Sequence, residues 1–309
     1  MEVILMEITA SMVKELREKT NAGMMDCKKA LKETNGDIEK AIVYLREKGL
    51  LQAAKKSSRI ASEGLTTALI SADEKKGVVI EVNSETDFVA KNEEFKSFVE
   101  ETAKAVLDND PKDLEALKAL VLKEGKTVQE VLTDKIATIG ENMSLRRFGE
   151  VKVDKGLVVD YIHGGGKISV LVALESEGDK EVLKVLGKDI AMQVAAMSPK
   201  YISMEDVDEE FIAQEKEILT AQALNEGKPQ NIVEKMVLGR LNKELKEICL
   251  LEQAFVKDPD LTVKKVISDT AKKIGSDIKV AGVIRYEVGE GLEKKSENFA
   301  DEVAKQMGL

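Results

Sequence analysis

An internal repeat constrains this chain more than any other feature of its sequence. Gly64-Leu65-Thr66-Thr67-Ala68-Leu69-Ile70 and Val78-Val79-Ile80-Glu81-Val82 read as two strands joined by a polar turn. The pattern returns 92 residues later, without a gap, as Gly156-Leu157-Val158-Val159-Asp160-Tyr161-Ile162 and Val170-Leu171-Val172-Ala173-Leu174. Each pair precedes a stripe at helical spacing: Phe95, Phe98, Val99, Ala103 and Val106 in one copy, Leu183, Leu186, Ile190, Val194 and Met197 in the other. The copies also end alike. Thr127-Val128, Val131-Leu132, Asp134 and Ile139-Gly140 match Thr262-Val263, Val266-Ile267, Asp269 and Ile274-Gly275. A last strand follows in each, Ser144-Leu145-Arg146-Arg147-Phe148 and Gly282-Val283-Ile284-Arg285-Tyr286. Over the matched stretches Thr127–Gly140 and Thr262–Gly275 the offset is 135, so by there the second copy holds 43 residues more than the first, between its helix and its last strand. Such self-similarity means one supersecondary unit used twice. It predicts an α+β fold with two related subdomains, each a three-stranded antiparallel sheet covered by helices.

The surplus has a pattern of its own. Phe211, Ile212, Ile218 and Leu219 form one stripe, Glu226-Gly227-Lys228-Pro229 a turn, and Ile232, Val233, Met236, Val237, Leu241, Leu245 and Ile248 a second stripe. This is an inserted helical hairpin over 205–250. Its polar outer faces predict that it projects from the core. Three uses are open to it: pairing with a second copy of the chain as a homodimer, packing on a partner, or remaining solvated.

Ahead of the repeats, residues 8–49 read as a three-helix bundle. Thr9 is an N-cap candidate, followed by Val13 and Leu16. Asn21-Ala22-Gly23 breaks the first helix, Met24, Met25, Cys27, Ala30 and Leu31 mark the second, and Asn35-Gly36 forms a turn. Asp37 caps a third helix with Ile38, Ala41, Ile42 and Leu45, and Gly49 is its expected stop. Residues 50–62 lose the stripe and carry Lys55, Lys56 and Arg59 on what reads as a solvated, partly helical linker. The expected boundaries are a bundle at 1–50, a linker at 51–62, a first repeat at 63–152, a second at 153–204 and 251–290, the insert at 205–250, and a C-terminal helical module at 291–309 with a helix from Phe299 to Met307.

Composition narrows the function classes. The net charge is −10, although the first 60 residues are basic, and aromatic residues number only 11, none of them Trp. Neither phosphate neutralisation along a nucleic acid nor a base-stacking platform suits such a chain. No apolar run approaches the roughly 18 residues of a membrane span. Cys27 and Cys249 stand apart in no redox or metal spacing, and no basic leader opens the chain, so the cytoplasm is the expected location. A single His makes a His-based metal site unattractive. Gly164-Gly165-Gly166-Lys167 is too short for a phosphate loop and falls on a hairpin turn. Gly289-Glu290-Gly291 lacks the third glycine of a dinucleotide fingerprint, and no nucleophile–base pair stands out. An enzyme is therefore disfavoured, and no cofactor is called for. The segment that does stand out is Asn83-Ser84-Glu85-Thr86-Asp87-Phe88-Val89-Ala90-Lys91-Asn92, between a strand and a helix. It has two readings. Either Asp87 caps the helix and Phe88 staples it to the core, or Phe88 is a protruding anchor for a partner's pocket.

Two long stretches carry a resemblance. Leu16-Arg17-Glu18-Lys19-Thr20-Asn21-Ala22-Gly23-Met24-Met25-Asp26-Cys27-Lys28-Lys29-Ala30-Leu31 and Glu81-Val82-Asn83-Ser84-Glu85-Thr86-Asp87-Phe88-Val89-Ala90-Lys91 resemble the two signatures of the bacterial elongation factor Ts family. Ile139-Gly140-Glu141-Asn142, Tyr161-Ile162-His163-Gly164 and Arg285-Tyr286-Glu287-Val288-Gly289-Glu290-Gly291 are similar to further family stretches. The resemblance runs from about Met6 to the C-terminus, which makes residues 1–5 an expected upstream extension. Asn21, where many members have Gly, and Lys257, where some have Met, are departures. The resemblance implies a guanine-nucleotide exchange factor, not an enzyme in its own right, whose partner is elongation factor Tu. It also implies a ubiquitin-associated-like N-terminal bundle, a core of two related subdomains, a helical-hairpin module and a C-terminal helical module. By the same resemblance, Thr86, Asp87, Phe88 and Val89 enter the partner's GTPase domain and dislodge its Mg²⁺. Met24, Met25, Lys28, Ile139, Gly140 and His163 are implied as further partner contacts.

Overall fold

The computed structural model describes residues 8–20, 22–122, 125–227 and 229–294. The expected extension at 1–5, Asn21, Lys228 of the hairpin turn and the helix expected from Phe299 to Met307 lie outside the described residues. The chain divides into two compact units. One comprises 1–67, 80–148 and 287–309, the other 68–79 and 149–286.

The first unit begins with the bundle: α1 (Ala10–Thr20), α2 (Met24–Glu33) and α3 (Ile38–Lys56). At 11 and 10 residues, α1 and α2 are too short to persist alone, and all three helices pack together. They share a core of Val13, Leu16, Cys27, Ala30, Leu31 and Ala41. Asn35 and Gly36 take positive φ (51° and 81°), as the turn requires. Asp37 accepts the Lys40 N–H at 3.0 Å and so caps α3. One expectation fails here. Gly49 does not stop the helix; α3 runs on to Lys56. Gly49 is buried, and a Cβ placed there would lie 3.5 Å from the Ala137 side chain. The glycine lies inside the helix against α7, at a distance where a methyl group would make ordinary contact, and does not terminate it.

The first repeat is β1 (Glu63–Ile70), β2 (Lys76–Ser84), α4 (Asp87–Ala90), α5 (Glu93–Asn109), α6 (Leu114–Ala119), α7 (Val128–Ile139) and β3 (Met143–Lys152). The second is β4 (Leu157–His163), β5 (Ile168–Glu175), α8 (Lys180–Met197), α9 (Glu209–Asn225), α10 (Gln230–Ile248), β6 (Ala254–Phe255), β7 (Asp258–Thr262), α11 (Val263–Ile274) and β8 (Lys279–Glu287). The sheets have the same order, β1-β2-β3 and β4-β5-β8, and are antiparallel. The sequence repeat is thus a structural repeat, and its shared residues have shared jobs. Gly64 and Gly156 stand at φ 132° and 105°, where a Cβ would meet the Val82 and Leu174 carbonyl oxygens at 2.2 and 1.9 Å; only glycine fits either place. Thr127 and Thr262 cap α7 and α11, which both end on a left-handed glycine, Gly140 and Gly275.

In the second unit β4 and β5 pair from Leu157↔Leu174 to His163↔Ile168 around the Gly164–Gly166 turn. One sheet face, with Leu157, Val159, Val170, Val172 and Leu174, meets Leu183, Leu186, Ile190 and Val194 of α8. The other, with Val158, Leu171 and Ala173, packs on Ala68, Val79 and Val153. Burial on both faces explains why these strands are apolar throughout instead of alternating. The surplus is the hairpin α9–α10, whose seam is Leu219, Ala223, Val233, Val237 and Leu241. Its two ends meet where the Lys200 and Tyr201 N–H groups donate to the Ile248 carbonyl (2.8 and 3.1 Å). Leu250, expected inside the insert, instead joins the second repeat's core. Among the described residues no helix is long and apolar enough to cross a membrane.

Candidate partner-binding site

Strand β2 sets the position of the loop that follows it. Glu81 is fully buried near its end. Its Oε1 accepts from Arg146 Nη1 (2.8 Å), Asn83 Nδ2 (3.1 Å) and the Gly289 N–H (2.8 Å), and its Oε2 accepts from Arg147 Nε (2.6 Å). Burial alone would raise the Glu81 carboxyl. The Gly289 amide, Arg146, Asn83 and Arg147 outweigh it and hold the group below its ordinary value. Burial would likewise lower the Arg147 guanidinium, but Glu81 and Glu290 keep it raised. An ion cluster with this many donors fixes the strand end without leaving a bare buried charge.

Beyond it the chain turns sharply. Ser84 Oγ donates to the Thr86 carbonyl at 2.9 Å, and the extended Thr86 (φ −128°) precedes the single turn of α4. Val89 and Ala90 point inward, whereas Phe88 is 78% exposed. Lys91 closes the turn. Its Nζ donates to Asp87 at 2.6 Å and lies 5.7 Å from the Phe88 ring centroid. The cap of α5 is Asn92, which accepts the Glu94 and Phe95 N–H groups, not Asp87. Of the two readings of this segment, the staple to the core is therefore excluded by exposure. An aromatic ring this exposed needs another explanation, because most of its burial energy is unused.

The Ile139-Gly140 corner is brought up to this loop within the same unit. Gly140 ends α7 at φ 89°, and the next residue, Glu141, grips Thr86. Its Oε2 accepts the Thr86 N–H at 3.0 Å and its Oε1 the Thr86 hydroxyl at 2.7 Å. In return, Glu85 Oε1 accepts the Asn142 N–H at 2.6 Å. Arg59 Nη1 lies 3.4 Å from the same Glu85 oxygen, and the Arg59 carbonyl accepts from Asn142 Nδ2 at 2.7 Å. Reasoning from the sequence had not singled out Glu85, Glu141, Asn142 or Arg59. The available signal was that Glu85 and Glu141-Asn142 stand inside the family-like stretches.

Three of the other named residues belong to the N-terminal bundle. Met24 and Met25 (60% and 75% exposed) and Lys28 are on the outer face of α2, whose inner face buries Cys27, Ala30 and Leu31. Val89, 5% exposed, anchors the turn and presents no free surface. His163 belongs to the second unit, at the β4–β5 turn, with Nδ1 3.1 Å from the Tyr161 hydroxyl. Both cysteines are buried, and burial pushes each thiol up, away from a reactive thiolate. Among the described residues no group of three His, Cys, Asp or Glu side chains could hold a metal ion. A cleft of about 350 Å³ between the bundle and α7 is lined by charges paired with one another, such as Lys126 with Asp134 at 2.7 Å.

The family model described as Elongation factor TS matches residues 85–290. The chain belongs to the elongation factor Ts family. It is 62% identical over 301 residues to an elongation factor Ts of Clostridioides difficile, a match covering 97% of this chain and 99% of the relative. It is 56% identical over 301 residues to one of Clostridium perfringens and 54% identical over 302 residues to one of Clostridium novyi, with the same coverage. The family match opens at Glu85, where the chain leaves β2 for the exposed loop. The relatives extend the likeness across the N-terminal bundle.

Proposed function

We propose that this chain is a cytoplasmic translation factor that acts as a guanine-nucleotide exchange factor for elongation factor Tu. It inserts the Thr86–Phe88 loop into the partner's GTPase domain, disturbs the bound Mg²⁺ and stabilises the nucleotide-free state. The observation that carries this reading is Phe88, held 78% exposed on a turn fixed at both ends. Family membership supplies the partner. The physics needs no catalytic group on this chain. A GTPase holds its nucleotide partly through Mg²⁺ bridging the phosphates. A protein that binds the empty state better than the loaded state must weaken nucleotide binding by the same factor. A pre-ordered aromatic anchor with a carboxylate beside it supplies such differential binding at low ordering cost. Val89 holds the turn from beneath, and Met24, Met25, Lys28, Ile139, Gly140 and His163 add contacts elsewhere. The hairpin α9–α10, with Ile218, Leu224, Ile232 and Leu238 exposed, is a further module for contact with the partner or a second copy.

Release of labelled GDP from purified elongation factor Tu, followed with and without this protein, tests the reading. Acceleration at substoichiometric amounts supports exchange. Binding without acceleration supports an adaptor instead.

A further inference from the structure

The Thr86–Phe88 loop and the Ile139-Gly140 corner are held together by two carboxylates, one from each segment. From the loop, Glu85 accepts the Asn142 N–H at 2.6 Å; from the corner, Glu141 accepts the Thr86 N–H at 3.0 Å and the Thr86 hydroxyl at 2.7 Å. All three bonds have an ionised acceptor and are of the stronger kind. They bridge 55 to 57 residues of sequence, so neither segment holds its shape by local hydrogen bonding alone. Thr86 is the residue on which α4 starts, and Phe88 is the second residue of that helix. Four residues are too few for a helix to persist by itself. Val89 anchors the turn from below, and Glu141 fixes its start by accepting from both donors of Thr86, the N–H and the hydroxyl.

We infer that Glu141 is a positioning residue for exchange: its carboxylate holds Thr86 so that α4 presents Phe88 outward before the partner arrives. This rests on the proposed role of Phe88 and adds a claim that this role does not require. Without Glu141 the loop samples other conformations, and apparent activity falls with the fraction of molecules still competent. Glu141 acts through Phe88, so the loss must vanish once Phe88 is gone.

The test is a double-mutant cycle read by GDP release from elongation factor Tu, on the full chain, with thermal melts of every variant. The expected result for Glu141→Ala is a melt close to wild type and exchange reduced about tenfold. Glu141→Ala combined with Phe88→Ala should be no slower than Phe88→Ala alone, a non-additivity that general loosening would not produce. Unchanged exchange in a folded Glu141→Ala overturns the inference, as does an additive double variant. If Glu141→Ala does not fold, Glu141→Gln carries the same cycle, because it keeps the volume and one acceptor oxygen, and the same results decide. A Phe88→Ala variant that exchanges like wild type refutes the role of Phe88 itself. A defective Phe88→Ala beside an intact Glu141→Ala refutes only the role of Glu141.

Discussion

Replacing Phe88 by alanine separates a partner anchor from a core residue. Burying a phenylalanine contributes about 3–5 kcal/mol, as judged by truncation in cores. Phe88 already has 78% of its surface in water, so only about a fifth of that sum is at stake, or ~1 kcal/mol. Lys91 over the ring adds ~0.5 kcal/mol at an exposed site. For a chain of this size the melt should move by about 2–4 °C. The cost to exchange should be much larger. A buried aromatic anchor at an interface is worth at least ~2 kcal/mol on truncation, and a 2 kcal/mol loss is about 30-fold. Phe95→Ala is the control, because Phe95 is fully buried on the inner face of α5 and should lose the whole core increment. Paired measurements by differential scanning calorimetry and GDP release decide the matter. A large fall in melting temperature for Phe88→Ala, or exchange within twofold of wild type, would refute the reasoning.

Two other perturbations address the frame. Glu81→Gln strands Arg146 and Arg147 against an uncharged group and should cost about 3 kcal/mol, measured by chemical denaturation at pH 7. The folded Glu81 carboxyl lies below its ordinary value. Its stabilisation is therefore complete above about pH 5 and is lost as pH falls past the unfolded value of ~4.3 towards the folded one; the variant's stability should fall less steeply over that acid range. Replacing 208–246 with a short flexible linker should leave a cooperatively melting protein, because the insert has its own seam and its ends already meet at Tyr201 and Ile248. Aggregation or a broad, non-cooperative melt would place the hairpin inside the core.

Much of this fold was legible because the chain states it twice. The repeat together with the helical stripes located both sheets, the paired helices α5 and α8, α7 and α11, and the hairpin α9–α10. Local chemistry read correctly where it was self-contained, as with Asp37 at the start of α3 and the Gly164–Gly166 turn. It misled at Gly49, where a glycine that looks like a helix stop is buried against Ala137. It also placed Leu250 in the insert, since no local pattern distinguishes the last apolar residue of a hairpin from the first of the core behind it. The supports of the loop were least legible. Glu81 meets Gly289 across 208 residues and Glu141 meets Thr86 across 55, pairings that no periodicity encodes. In the sequence Glu81 is only one polar residue of an apolar strand; the fold shows that it is buried and names its arginines. The exposure of Phe88 was undecidable for the same reason: capping and projecting loops share one composition.

The magnesium dependence of acceleration tests the central claim most directly. Labelled-GDP release from elongation factor Tu would be timed by stopped flow, with wild type and Phe88→Ala, in excess Mg²⁺ and in EDTA. Without the metal the phosphates are less well neutralised and the partner releases GDP faster unaided. If the Thr86–Phe88 loop acts by disturbing that ion, the wild-type protein accelerates release by a smaller factor in EDTA than in Mg²⁺, and Phe88→Ala approaches wild type there. Some acceleration persists in EDTA through contacts that do not touch the metal, with Met24, Met25, Lys28 and His163 as the candidates. An equal fold-acceleration with and without Mg²⁺, and an undiminished Phe88→Ala defect in EDTA, would contradict metal displacement and place the action of the loop elsewhere in the nucleotide site.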